Sequence, residues 1–501
     1  MAKLLNNLPV EDLTQENDYL GVIDKAELIK TILKNNTEKF KEIKMFVLYG
    51  DWGSGKSTLM KYLESALEND FNTFFFDTWQ FEKDDNLPKT LLDFLLKESE
   101  GLGEKISGDI LKFGAKLFRG LGKSVKIKVP LFPKGPSVDF NPSEFVKEFE
   151  KQDISFYEAK QNFKIEFKRW EDNITKEKSQ EYNIIFIDDL DRCEPENVLN
   201  LLSAIKLFFT YGKKTIFFFG VDKKAVQQAI QTKYKDAVKS EEYLEKIFDI
   251  SFSMPKHESV LKLVSQYFDE KLIVSSSKNK DVNRVKLNEL VADFFRKLHF
   301  TNPRKLKKVL NKYVLLANAK ENLDINHPFS KYIGNIYAEG ADGNYFETIL
   351  SLYFIAVKES NPQLFKRLFD LKLKEKSFKG NFIEMSKLTQ MDSWMSIQEL
   401  IFESYLGKEL NSIFNQRILP EKNTSFLKLT FVFCPENLMA IDSDFGINDD
   451  IPKSIQLEEK RIDYYFLKYL CNNIKFFNEL PNPSYSDKSI SDIYQGVKQI
   501  L

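Results

Sequence analysis

Met45-Phe46-Val47-Leu48-Tyr49-Gly50-Asp51-Trp52-Gly53-Ser54-Gly55-Lys56-Ser57-Thr58 decides the reading of this 501-residue chain. An apolar run leads into a glycine-rich turn that fits G-x-x-x-x-G-K-[ST], the P-loop pattern. The glycines let backbone N–H groups turn inward around phosphate oxygens, and a helix starting at the turn adds the positive end of its dipole. Gly50, Trp52, Gly53, Ser54, Gly55, Lys56, Ser57 and Thr58 are therefore the candidate nucleotide contacts. Lys56 supplies a point charge between the β- and γ-phosphates, and the Ser57 hydroxyl suits Mg²⁺. A chance glycine turn is the bland alternative. The strand before it and the helical pattern over 58–68 after it argue against chance.

Further dense apolar runs lie at Thr73–Asp77, Ile184–Asp188, Thr215–Val221 and Phe248–Phe252. The first four runs, counting 45–49, are apolar on successive positions, which predicts parallel strands covered on both faces. Helical stripes separate them, as in Val198, Leu201, Leu202, Ile205, Phe208 and Phe209 after Pro195. The expected fold is α/β, a P-loop NTPase with a parallel five-stranded sheet. Residues 1–44 would flank it and 45–254 form its core, with 255–324 a helical subdomain and 325–501 a mostly helical C-terminal domain. Between Asp77 and Asn183 lie 105 residues, far more than a βα crossover needs, so an insertion is expected at about 95–180.

A nucleotide-hydrolysing site also needs an acid at the end of another buried strand, and Asn183-Ile184-Ile185-Phe186-Ile187-Asp188-Asp189-Leu190-Asp191-Arg192 offers it. Asp188 emerges at the carboxyl end, where open α/β sheets bind ligands, and is the candidate to hold Mg²⁺ together with Ser57. Asp189 is the candidate to polarise the attacking water, with Asp191 competing. Capping of the next helix is a rival account for Asp191, but a weaker one for the adjacent Asp188 and Asp189, whose like charges call for a cation. Asp222, closing the run Ile216–Val221, would approach the γ-phosphate if its strand neighbours the P-loop strand; a plain helix cap explains it equally well. The Asn-Lys-x-Asp tetrapeptide of guanine-selective NTPases does not occur, so the expected nucleotide is ATP.

Composition narrows the rest. With 43% hydrophobic residues the chain can bury substantial cores. Three Cys and three His, far apart, exclude a disulfide framework and argue against zinc or iron–sulfur sites. No apolar run reaches the roughly 18 residues of a spanning helix, and the expectation is a cytoplasmic protein. Seventy-three basic against 74 acidic residues leave a net charge of −1, so no global field draws it to nucleic acid or membrane. Within Gly101–Gly135, however, eight basic residues face two acidic ones. Leu102, Ile106, Ile110, Phe113, Leu117 and Leu121 recur there at helical spacing. The stretch from Leu102 to Lys128 is thus a candidate for peripheral contact with an anionic surface, lipid headgroups or nucleic acid. The bland alternative is a loop packing apolar residues onto its own domain.

Taken together, these motifs resemble the KAP P-loop NTPases, a branch of the STAND-like ATPases, over about residues 15 to 320. Asp18-Tyr19-Leu20-Gly21 is similar to the family's opening segment, and Gly50–Ser57 to its tryptophan-bearing P-loop. Phe76-Asp77-Thr78-Trp79-Gln80-Phe81-Glu82 resembles the stretch after its second strand, and Asp188-Asp189-Leu190-Asp191-Arg192-Cys193 its Walker B signature. Tyr243–Phe248 with Pro255, and Asn302-Pro303-Arg304-Lys305-Leu306-Lys307, resemble its later markers. The resemblance implies an ATPase with a helical subdomain and offers Arg304 as a sensor-type residue, although a solvated helix face accounts for Arg304 as well. It also implies a role in bacterial plasmid or phage exclusion. Many family members carry transmembrane helices between the two motifs, and this chain departs from them there.

Three functions follow. The first is an ATP-hydrolysing switch that controls contacts with a protein partner or self-assembly. The second is a nucleic-acid-stimulated motor or loader, and the third a nucleotide-bound scaffold with little turnover. Residues 325–501 carry no catalytic arrangement. Arg192, Arg284 and Arg304 stay open as arginine fingers.

Overall fold

The computed structural model describes residues 4–84, 86–99, 155–177, 180–234, 237–255, 260–270, 272–274, 284–324, 326–330, 345–360 and 487–501, with a few single residues between them. Two compact units emerge, Leu8–Lys256 and His257–Leu501 with Met1–Asn7.

The first unit is built on strands β1 (Met45–Tyr49), β2 (Asn72–Asp77), β3 (Asn183–Asp188), β4 (Thr215–Val221) and β5 (Ile250–Ser253). Their order is β2-β3-β4-β1-β5 and every neighbouring pair is parallel. Side chains of a strand alternate between faces, and here parity assigns each residue a layer. Phe46, Leu48, Ile184, Phe186, Ile216 and Phe218 pack against helices α1 (Val22–Lys34) and α2 (Lys56–Leu67). Met45, Val47, Ile185, Ile187, Phe217 and Phe219 face α3 (Leu87–Lys97), α4 (Phe156–Glu177), α5 (Pro195–Leu207) and α6 (Lys223–Tyr234). Helix α7 (Ala237–Ile247) adds Leu244 and Ile247 to that second core. Strands β3 and β4 are buried at every position, as the sequence predicts, whereas β2 alternates buried and half-buried residues. The difference is positional: β2 is a sheet edge, where one face is only partly covered.

The insertion contributes to this core. In α4, Phe163, Phe167 and Trp170 are buried, with ring centres of Phe167 and Trp170 5.1 Å apart, and Trp170 Nε1 donates to Ser99 Oγ at 3.1 Å. The buried Glu171 carboxylate accepts the backbone N–H groups of Lys213 (2.8 Å) and Lys214 (3.1 Å), fastening α4 to the turn before β4. Ile110, Leu117 and Phe118 are fully buried, and Phe118 stacks on Phe209 at 5.6 Å. Ile110 and Leu117 therefore belong to the domain's own core, the alternative weighed in the sequence against contact with an anionic surface. The basic residues of that stretch lie outside the described residues.

In the second unit, strands β6 (Leu272–Val274) and β7 (Arg284–Lys286) form an antiparallel pair. Helices α8 (Leu287–Lys297), α9 (Pro303–Asn322), α10 (Tyr345–Ser360) and α11 (Asp487–Ile500) follow. Lys312 pairs with Glu359 between α9 and α10, and Lys358 Nζ donates to Val497 O at 3.0 Å between α10 and α11. Among the described residues no helix is long and apolar enough to cross a membrane.

Candidate nucleotide-binding site

The P-loop turn follows β1 because its glycines reach dihedrals closed to other residues. Gly53 and Gly55 have φ of 80° and 98°, and Gly55 caps α2. Gly50 is required for space: a Cβ there would lie 2.5 Å from Met254 Cγ and 2.6 Å from Ser54 Oγ. Lys56 is buried, and its Nζ donates to the carbonyls of Gly50 (2.9 Å) and Asp51 (3.3 Å), which holds the ammonium over the loop. Thr58 is buried with its hydroxyl accepting the Val10 N–H at 3.2 Å, so that group already has a protein partner.

Strand β4 lies between β1 and β3, so the loop and the Asp188 strand are not neighbours. Helix α2 bridges the gap: the Ser57 hydroxyl in its first turn hydrogen-bonds Asp188. Asp188 is buried, and burial drives its carboxyl above the usual range. The Ser57 bond, the Asp189 N–H and the Lys56 charge pull it back, while Asp191 adds to the rise. Its Oδ1 is buried with no hydrogen-bond partner. An orphaned carboxylate oxygen beside a hydroxyl is a donor set that suits Mg²⁺, which takes one or two protein oxygens and completes its shell with phosphate and water. Among the described residues no three His, Cys, Asp or Glu side chains gather as a metal cluster, in keeping with so sparse a set.

Asp189 adopts φ 55°, ψ 23°, a left-handed conformation that strains a residue with a Cβ by on the order of 1 kcal/mol. Its carboxyl is pushed up to about 7, by burial first and then by Asp188, with Asp77 and Asp191 in the same direction and Arg192 opposing. Arg192 Nη2 lies 3.0 Å from Asp189 Oδ1. Asp191 sits in the same short 3-10 turn, Leu190–Arg192, with a buried Oδ1 lacking a partner. Asp222 closes a strand that neighbours the P-loop strand and also caps the following helix. Its Oδ2 accepts the Trp52 N–H at 3.0 Å, and its Oδ1 accepts the N–H groups of Lys224 (3.0 Å) and Ala225 (3.4 Å) in the first turn of α6. One carboxylate thereby ties the P-loop to a helix cap.

A profile of the KAP family P-loop domain matches residues 25–319, more than half of the chain. The chain belongs to the KAP family. Two uncharacterized proteins of Methanocaldococcus jannaschii are similar to it. MJ0182 is 36% identical over 172 residues, spanning 29% of this chain and 88% of that one, and MJ0181 is 30% identical over 259 residues, spanning 48% and 94%. Solved structures of the Aeropyrum pernix ORC2 protein, in ADPNP–ADP and ADP forms, align with 10% identity and a TM-score of 0.27. The former pairing covers 94% of this chain and 98% of that one, and at such a score carries no further weight.

In this KAP chain the opening segment has a mechanical task. Both oxygens of the buried Asp18 carboxylate hold N–H groups at the start of α1, those of Val22 and Ile23 at 3.0 Å each. A Cβ on Gly55 would lie 3.2 Å from Leu20 Cδ1, so this segment reaches the P-loop. Arg304 belongs to the other unit, in the first turn of α9, with Nη2 donating to Asn7 O at 3.4 Å.

Three site features escaped the sequence reading. Gly220 lies in β4 one position past Phe219, which pairs with Ile187. A Cβ there would come within 2.3 Å of Met60 Sδ and 3.0 Å of Asp188 Oδ1. A lone glycine inside an apolar strand is the signal that marks such an approach. Thr78 is buried and donates its hydroxyl to Asp188 O at 2.7 Å, stitching the ends of β2 and β3 together. Trp79 stacks under Arg192, a contact no local pattern announces.

Proposed function

We propose that this KAP domain binds ATP with Mg²⁺ and hydrolyses it, as a switch for contacts with a protein partner or further copies of the chain. The observation that carries the reading is the convergence of Lys56, Ser57 and Asp188, with the Asp188 Oδ1 buried and unpartnered. P-loop N–H groups and Lys56 would bind the phosphates, and Ser57 with Asp188 would hold Mg²⁺. Bound Mg²⁺ would supply charge neutralisation for the transferring phosphate. Asp189 would orient water for attack, with Asp191 the competing choice; neutral Asp189 cannot take a proton, so the ionised form is the working one. Asp222 would set the loop through Trp52 N–H, and Arg304 would act as a sensor-type residue. A defence role against phage or plasmids is supported by family resemblance.

Purified protein is assayed for Mg²⁺-dependent phosphate release, and separately for binding of a fluorescent ATP analogue. Lys56→Ala is expected to abolish turnover; Asp189→Asn is expected to reduce it about 100-fold or more while binding persists. Unchanged turnover in Lys56→Ala would remove the assignment. Repeating the assay with DNA, RNA and anionic vesicles, and with light scattering, separates a switch from a nucleic-acid-stimulated motor and a scaffold.

A further inference from the structure

Arg192 is explained neither by the P-loop nor by the acids that precede it. Its guanidinium Nη2 is 3.0 Å from Asp189 Oδ1 and its Cζ stands 4.6 Å from the centre of the Trp79 ring. Both charged side chains are mostly withdrawn from water, at 24% and 18% exposure, so the pair is screened less than a surface one. A guanidinium is suited to this double role because its planar cation stacks on an aromatic face while its edge meets a carboxylate.

The platform beneath it is fixed by separate bonds. Asp77 pairs with Asp188 in the β2–β3 register, and its carboxylate accepts the Trp79 N–H and the Gln80 amide, each at 3.1 Å. The Thr78 hydroxyl holds the Asp188 carbonyl. Trp79 is therefore carried on a turn stitched to the strand that presents Asp188 and Asp189. Asp189 itself occupies a left-handed backbone conformation, which persists only where neighbours impose it. Among the described residues Arg192 is the one cation within ion-pair distance of that carboxylate.

We propose that Arg192, stacked on Trp79, is a positioning residue that holds the Asp189 carboxylate in the orientation from which it directs the attacking water. It acts within its own chain and is not an arginine finger for a neighbouring copy. This rests on the hydrolytic reading of the site.

Wild type, Arg192→Ala, Arg192→Lys, Trp79→Ala, Trp79→Phe and Lys56→Ala are compared for kcat, for Kd of a fluorescent ATP analogue and for melting temperature. Arg192→Ala is expected to lose at least about tenfold in kcat with Kd within about twofold, the split of a group that acts after binding. Arg192→Lys restores little, since an ammonium keeps the charge but not the planar stack. Trp79→Ala, at a half-exposed position that leaves the core intact, falls as Arg192→Ala does, whereas Trp79→Phe retains most turnover. Equal kcat in wild type and Arg192→Ala, or a Kd that rises in step with the loss, overturns the proposal. So does recovery of turnover on mixing Arg192→Ala with Lys56→Ala, because that requires Arg192 to be supplied from a second copy. Absence of turnover in wild type is a different result and removes the hydrolytic reading itself.

Discussion

Gly220→Ala tests how the sheet makes room for the site. The residue sits in β4, between the P-loop strand and the Asp188 strand, and the added methyl would meet Met60 Sδ at 2.3 Å. An unstrained contact of this kind needs roughly 3.5–4 Å, so either Met60 or the strand must move by more than an ångström. Met60 is fully buried among Leu59, Leu63, Phe186 and Phe218 and has little space to yield. Overpacking a closed core costs about 1–3 kcal/mol, equivalent in a unit of this size to a fall of about 2–12 °C in melting temperature. The second approach, 3.0 Å to Asp188 Oδ1, presses on the one carboxylate oxygen proposed to serve Mg²⁺. Mg²⁺-dependent ATP affinity is therefore expected to weaken as well.

A double-mutant cycle with Met60→Ala isolates the clash. Met60→Ala alone leaves a cavity costing about 2–5 kcal/mol, but the methyl introduced by Gly220→Ala would partly occupy it. The double variant should thus be more stable than the sum of the single effects by about 1 kcal/mol or more. Stability is read from denaturant unfolding followed by fluorescence and circular dichroism. Additivity within about 0.5 kcal/mol would refute the reasoning, since the two side chains would then not compete for the same volume.

Lys44 is buried with its Nζ donating to Thr215 O at 3.3 Å, and burial lowers its pKa from the ordinary 10.5 to about 8 against the pull of Glu171 and Asp249. A lowered folded-state value disfavours the charged form, so the penalty, about 3 kcal/mol by that difference, is full below pH 8 and fades as pH rises toward 10.5. Lys44→Met should then be more stable than wild type at pH 7, with the gap closing by about pH 10.5; urea titrations at several pH values check the slope. Glu171→Ala frees the N–H groups of Lys213 and Lys214 from a buried carboxylate, and an unfolding midpoint lower by the equivalent of about 2–4 kcal/mol is expected. Because the Asp189 carboxyl is pushed up to about 7 in the nucleotide-free protein, kcat/KM of the hydrolytic reaction should rise with pH through about 7 and then level off. A kcat/KM profile flat from about pH 5.5 to 8.5 would count against Asp189 as the base.

Local chemistry accounts for what could be read from the residues in order. The P-loop is eight consecutive residues whose glycines and lysine act through their own backbone and charge, and Gly53 and Gly55 take the positive φ that glycine allows. The buried strands were legible because two covered faces leave no polar position, as in Ile184–Ile187 and Ile216–Phe219. Acids at strand ends were legible for the same reason: a carboxylate closing an apolar run stands at the carboxyl end of its strand, where the two-sided apolar cover stops.

What only tertiary structure decided depends on which strands are neighbours, and strand order is not written in any one segment. Placing β4 beside β1 sets Asp222 against the Trp52 N–H across 170 residues of chain. Placing β4 also beside β3 makes Gly220 the position where α2 and Asp188 close in, a role carried by the absence of a side chain. The β2–β3 pairing brings Trp79 under Arg192, and among the described residues of the insertion α4 places Phe163, Phe167 and Trp170 in the core. Each is a contact between residues remote in sequence, formed because burying the apolar layers on both sides of the sheet selects one arrangement of segments whose local preferences alone leave several open.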